Sequence, residues 1–376
     1  MLRTRLAFAS SVGTVLLAGH ACAPALRTPE PITVRPSLAG VSTRSSVGPD
    51  LFGDDPEAER VPLEALLVPM LLRHTASTQA LDFDPDVYVP DGLLAFASTR
   101  GADRPDIFTQ PLDGTDASCL AANPADDIQP RFSPDGRRIA FCSNRSGSWD
   151  IWLMSRDGRN LVQLTDEPSD EIAPSWSPDG TRIAYSSWSH RAHQWEVWAL
   201  LVDRPGARRC ITPGMFPAWS PNGDRIAFQR ARTRGDPQFS IWVIDVRDGD
   251  FGEAAEVVQC VDASCIAPTW SPDGAMLAYC VVRERARIAP HGHAIAGDMH
   301  VWAVEPASGL RLRLTADVGA SYNPVWAADG RIYFVSPRSG TENIWSLSVE
   351  FGRDLAAATT NTPGSASDLS VELKRD

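Results

Sequence analysis

The chain has 376 residues and carries 47 acidic against 35 basic side chains, a formal net charge of −12. That balance excludes a general nucleic-acid binder, which needs a basic face. The charged and apolar fractions are those of an ordinary soluble protein. Lys374 is the single lysine, so the presence of arginine at any one site says little about bidentate recognition.

Residues 1–21 read as an export signal. Arg3 and Arg5 make a positive start, and Leu6 to Gly19 is an apolar or small-residue stretch too short for a membrane span. Cys22 then leaves two outcomes open: the lipidated first residue of a bacterial lipoprotein, or cleavage after Ala21 without a lipid. Either way the expected location is periplasmic or envelope-anchored. Residues 22–62 hold seven prolines among Ser, Thr, Gly and Arg, a composition that builds no core and reads as a tether. Residues 63–81 contain an apolar segment, interrupted by Pro69, expected to dock on the folded domain C-terminal to it. Residues 351–376 form a tail with a strand signal at Asp368–Leu373.

Between these lies a repeat over residues 82–350. Its marker glycines are Gly92, Gly136, Gly180, Gly223, Gly274 and Gly330, with a period near 44 in the first units. Each unit shows a strand a ending on an aromatic, a Pro/Asp/Gly turn, an apolar strand b such as RIAFCS or RIAYSS, a strand c such as DIW, and a short strand d such as LVQLT. Asp-Gly turns join neighbouring strands because glycine accepts positive φ, and the preceding proline has no N–H to extend a ladder. Four short antiparallel strands repeated radially make a β-propeller. The expected fold is therefore all-β, a six-bladed propeller of four-stranded blades. Blade six has no clear strand d after Val349, so a terminus should supply it, either Ala65–Leu72 or Asp368–Leu373. Nine of the twelve tryptophans fall on the repeated aromatic positions of strands a and c and are read as core packing rather than ligand contacts.

The run Pro174-Ser-Trp-Ser-Pro-Asp-Gly-Thr-Arg-Ile-Ala-Tyr185, followed by Glu-Val-Trp198, resembles the propeller repeat of TolB-like proteins, and six copies span about 270 residues. The resemblance implies a six-bladed propeller in the cell envelope with an envelope protein or lipoprotein as partner. TolB itself has an α/β domain before its propeller, where this sequence has the tether and the apolar segment.

In a propeller the b–c and d–a loops share one face, and loops on a rigid scaffold are where binding usually resides. Here the b–c loops carry arginines, Arg100, Arg145, Arg191 and Arg338 among them, with Trp149, Trp188 and Trp195 nearby. Arginine beside tryptophan suits an acidic protein partner, and aromatic faces also suit sugar rings. His190 and His193 in one loop, with His291 and His293 in another, are candidates for a metal, although no spacing matches a strong metal motif. Six cysteines follow Cys22; Cys260 and Cys265 are the nearest pair for a disulfide. No G-x-S-x-G elbow, phosphate loop or dinucleotide fingerprint is present. The expected function is non-catalytic binding of a protein partner, through the longer-loop face or the mouth of the central channel, without a cofactor. A carbohydrate-binding propeller, or a metal-dependent polysaccharide lyase or hydrolase using the loop histidines, is the alternative.

Overall fold

A computed structural model of the protein describes residues 71–232, 238–247, 249–283, 299–315 and 319–348. The export signal, Cys22, the tether, the tail and the loop with His291 and His293 lie outside the described residues. The described chain forms six four-stranded antiparallel sheets, a propeller of six blades. The six strands a are Asp82–Tyr88, Asp127–Phe132, Glu171–Trp176, Met215–Trp219, Ala263–Trp270 and Tyr322–Trp326.

The first five blades are each built from consecutive strands. The sixth takes its strand d from the N-terminal side: Leu72–Arg73 pairs with Asn343–Ser348, Leu72 opposite Ser346 and Arg73 opposite Trp345. Two ladder residues are few for a ring closure, and side chains extend it. Asn343 Oδ1 accepts the Ser77 N–H at 2.9 Å and the Thr75 hydroxyl at 3.2 Å, and its Nδ2 donates to the Ser77 carbonyl at 3.1 Å. Cys260 and Cys265 form a disulfide that joins the end of blade 4 to strand a of blade 5.

Strands b are buried because both their faces meet neighbouring blades, as with Ile139, Ala140, Phe141 and Cys142. One residue from every strand a, Phe83, Ile128, Ile172, Met215, Ile266 and Tyr322, joins a single apolar cluster. Strand d is two residues long in blades 1 and 2, as expected, but runs over Arg204–Pro213 in blade 3 and Asp250–Val258 in blade 4. In blade 3 only two residues separate strands c and d, so pairing starts at the turn. In blade 2 the connection turns through Gly158 and Asn160, both at positive φ, and pairing begins later.

Every strand a also carries a bulge with one non-glycine residue in the left-handed region: Asp84, Gln129, Ala173, Phe216, Ala267 and Asn323, with φ between 50° and 57°. A proline follows each one. The register of each a–b pair shifts at that point, as between Ile172 and Ser175. Such a conformation costs on the order of 1 kcal/mol or more and persists only when its surroundings hold it. Here the neighbouring blade does so. Gln129 Oε1 accepts the Ala173 N–H at 2.7 Å, Ser186 Oγ that of Phe216 at 2.8 Å, and Gln229 Oε1 that of Ala267 at 2.8 Å. The six kinked residues all line the axis of the ring.

Candidate functional site

The axis opens into a cavity of about 430 Å³ lined by strands a and the a–b turns. It therefore lies at the channel mouth on the face of the tight turns, opposite the long b–c loops. Its wall is built in rings. Two residues beyond each kink stand Asp86, Arg131, Ser175, Ala218, Thr269 and Val325, all half-buried. Outside them lie the turn prolines Pro134, Pro178, Pro221 and Pro272. The strand-a aromatics Trp176, Trp219 and Trp270 are buried between blades, as their repetition suggested, yet they also line this mouth. The sequence reading of them as packing alone is thus incomplete.

Each junction behind the wall is closed by a hydrogen bond between neighbouring blades. Asp86 Oδ2 accepts the Phe132 N–H at 2.7 Å, Ser175 Oγ that of Trp219 at 3.0 Å, and Thr269 Oγ1 that of Trp326 at 3.3 Å. At the alternate junctions the indole N–H of Trp176 donates to the Arg131 carbonyl at 3.1 Å, and that of Trp270 to the Ala218 carbonyl at 3.0 Å. Asn323 Nδ2 donates to Asp84 Oδ1 at 2.7 Å and joins blade 6 to blade 1. A wall pinned in this way is preorganised for a ligand.

The wall is also lopsided. Asp84, Asp86, Gln129, Arg131 and Asn323 gather on blades 6, 1 and 2, while blades 3 to 5 present mainly proline, alanine and aromatic surface. Burial pushes the Asp86 carboxyl up to about 6 against the opposing pull of Arg131. Arg131 is held in turn by the carbonyls of Pro85, at 3.2 Å, and Pro130, at 2.8 Å. The mouth thus offers one charged and hydrogen-bonding side and one apolar side, a surface for an amphipathic segment rather than for a fully polar ligand.

The loop residues named from sequence lie on the opposite face and do not converge on one site. Arg100 Nη2 binds the buried Asp82 carboxylate at 2.7 Å and stacks over Phe96 and Phe108. Arg145 binds the buried Asp127 at 2.8 Å and lies over Phe141 and Trp152. Arg338 donates to Ser321 Oγ at 2.9 Å and covers Phe334 and Trp345. These three guanidiniums are joints of the fold. Trp149 is buried, and Trp188 and Trp195 pack edge to face at 5.7 Å on paired strands. His190, Arg191 and His193 are exposed at the turn between those strands. Among the described residues no group of three His, Cys, Asp or Glu side chains is placed to hold a metal ion.

Sequence reasoning missed Asp86, Arg131, Ser175, Ala218 and Thr269. They share one repeat position, but their identities differ from blade to blade. The signal was the Pro-x-aromatic frame that brackets Arg131, Ser175, Ala218 and Thr269, which blade 1 stretches to Pro85-Asp86-Val87-Tyr88.

The geometry defines a class: six-bladed β-propellers with a cavity on the ring axis. The chain belongs to the family of the Tricorn protease N-terminal beta propeller domain, whose family model matches residues 102–235 and 150–375. An uncharacterised protein of Agrobacterium fabrum is 33% identical over 82 residues, which is 22% of this chain and 24% of that protein, so the chain spans about a quarter of the curated relative it matches. Among solved structures, a candidate TolB from Agrobacterium tumefaciens superposes with a TM-score of 0.54 at 20% identity, covering 73% of this chain and 92% of the other. TolB from Acinetobacter baumannii gives 0.51 at 16% identity, covering 69% and 64%. A gluconolactonase from Xanthomonas campestris gives 0.53 at 14% identity, covering 74% and 89%. At these identities the likeness is one of fold. Among the described residues no helix is long and apolar enough to cross a membrane.

Proposed function

We propose that the protein is a non-catalytic binding protein of the bacterial cell envelope, exported and held by its N-terminal tether. In this reading it presents the channel mouth to a protein partner. A segment of the partner enters the mouth end-on, with its apolar side against the prolines and tryptophans and a polar or cationic group near Asp86. The observation that carries this reading is the lopsided, pinned cavity at the axis. The internal engagement of Arg100, Arg145 and Arg338 supports it further, because it turns the arginine-bearing loops toward their own blades. Arg191, exposed on the long-loop face, is a secondary contact in this reading.

Ala218→Trp tests it, because residue 218 sits half-buried in the wall and an indole there fills the mouth. Affinity capture from native envelope with the wild type should enrich a specific protein, and Ala218→Trp should lose it while keeping the wild-type melting temperature. Equal capture by both proteins removes the mouth as the site. Binding of a glycan instead of a protein, lost in the same variant, moves the assignment to a carbohydrate-binding propeller.

A further inference from the structure

The first two blades begin alike. Asp82 and Asp127, both fully buried, are each neutralised by an arginine 18 residues later, Arg100 and Arg145. Blade 3 breaks the pattern. Glu171 takes the acid's place at 1% exposure, and Ser189 stands where the arginine would be. The neighbour that Glu171 meets is a second acid. Asp150, from strand c of blade 2, is also fully buried and acts on Glu171 across the blade seam, where the Glu171 N–H donates to the carbonyl of the adjoining Trp149 at 2.6 Å.

One oxygen of each carboxyl is served by serines. Asp150 Oδ2 accepts from Ser146 and, at 3.4 Å, from Ser148; Glu171 Oε1 accepts from Ser169 at 2.8 Å and Ser187 at 3.0 Å. The other oxygens, Asp150 Oδ1 and Glu171 Oε2, are buried without a donor. The remaining charged and titratable groups around them do not help. Asp166 adds negative charge near Asp150, Asp170 is occupied with the Trp149 N–H, Tyr185 lies beside Glu171, and Glu167 is paired with Arg208. Two buried carboxylates in contact do not both ionise; one proton between them satisfies both stranded oxygens.

We propose that Asp150 and Glu171 share a single proton, which makes the seam between blades 2 and 3 a pH-sensitive joint of the ring. The assignment stands independently of the proposed function. Burial raises both carboxyls, Glu171 to about 7. In the unfolded chain both release their protons near the ordinary carboxylate value of about 4. Folding therefore takes up a proton, and the stability this contributes is complete below the unfolded value and is lost as pH rises to about 7. Glu171 begins the strand that carries Pro174 and Ser175, so the joint shares a strand with the cavity wall.

Glu171→Gln tests this, since an amide donates to Asp150 Oδ1 at every pH. Between about pH 5 and about pH 8 the unfolding constant of the wild type should rise roughly tenfold to a hundredfold more than that of the variant. Parallel profiles overturn the proposal. The infrared carbonyl band of a buried protonated carboxyl decides it without relying on a variant that folds. The band should be present in the wild type at about pH 6 and gone well above the pKa, and its absence at about pH 6 overturns the proposal. Stabilisation of the wild type by calcium at about pH 8, lost in Glu171→Gln, would assign the pair to a cation and overturn the shared proton.

Discussion

Replacing Arg145 by alanine separates a structural role for the loop arginines from a role in partner contact. The Arg145 guanidinium reaches both oxygens of Asp127, at 3.0 and 2.8 Å, its Nε donates to Ser143 at 2.8 Å, and its plane covers Trp152. Asp127 is fully buried, so the substitution leaves an uncompensated charge, and stranding one partner of a buried pair costs about 3–5 kcal/mol. In a domain of this size each kcal/mol lowers the melting temperature by about 2–4 °C, so a fall of about 6–20 °C is expected. Calorimetry on Arg145→Ala, Asp127→Asn and the double variant reads it. The double variant should recover more than half of the loss, because the stranded charge is gone. Arg191→Ala, at an exposed turn, should change stability by no more than about 0.5 kcal/mol. An unchanged melting temperature in Arg145→Ala, with partner capture abolished, would refute the structural assignment and return these arginines to the binding surface.

The ring closure and the cavity wall each give a further expected outcome. Asn343→Ala removes the side chain that latches the closing strand, and should cost about 1–3 kcal/mol for its two part-buried bonds to the Ser77 backbone. Hydrogen exchange should speed up at residues 72–77 ahead of the other blades, and a uniform change around the ring would speak against the latch. Asp86→Asn should flatten part of the pH profile of stability. With its carboxyl raised to about 6, Asp86 contributes stability that is full below about 3.8 and lost as pH rises through about 6. The stability of the wild type relative to the variant, followed by urea denaturation, should fall across that window and stay level above it.

The blades were legible because the turn glycines and the strand aromatics recur at fixed spacing and act through local geometry. Gly136, Gly180, Gly223, Gly274 and Gly330 all hold the positive φ their turns require. The Cys260–Cys265 pairing was legible from proximity along the chain. The closing strand was visible only as two alternatives, since two residues such as Leu72 and Arg73 carry no periodic signal and the ring chooses its end by long-range contact. The residues that line the cavity were hidden for a different reason. The kinked position is occupied by Asp, Gln, Ala, Phe, Ala and Asn, so backbone conformation recurs there without residue identity. The loop arginines were found, but their purpose was not. The acids that Arg100 and Arg145 serve, Asp82 and Asp127, each lie 18 positions earlier on strand a, and that repeated spacing was the available clue.

Photocrosslinking tests the central claim most directly. A photoreactive side chain at Ser175 faces the mouth, whereas one at Arg191 lies on the opposite face. Irradiated in native envelope, the protein should give one discrete protein adduct from position 175 and little from 191. Adducts from 191 with none from 175 would place the partner on the long loops and contradict the account.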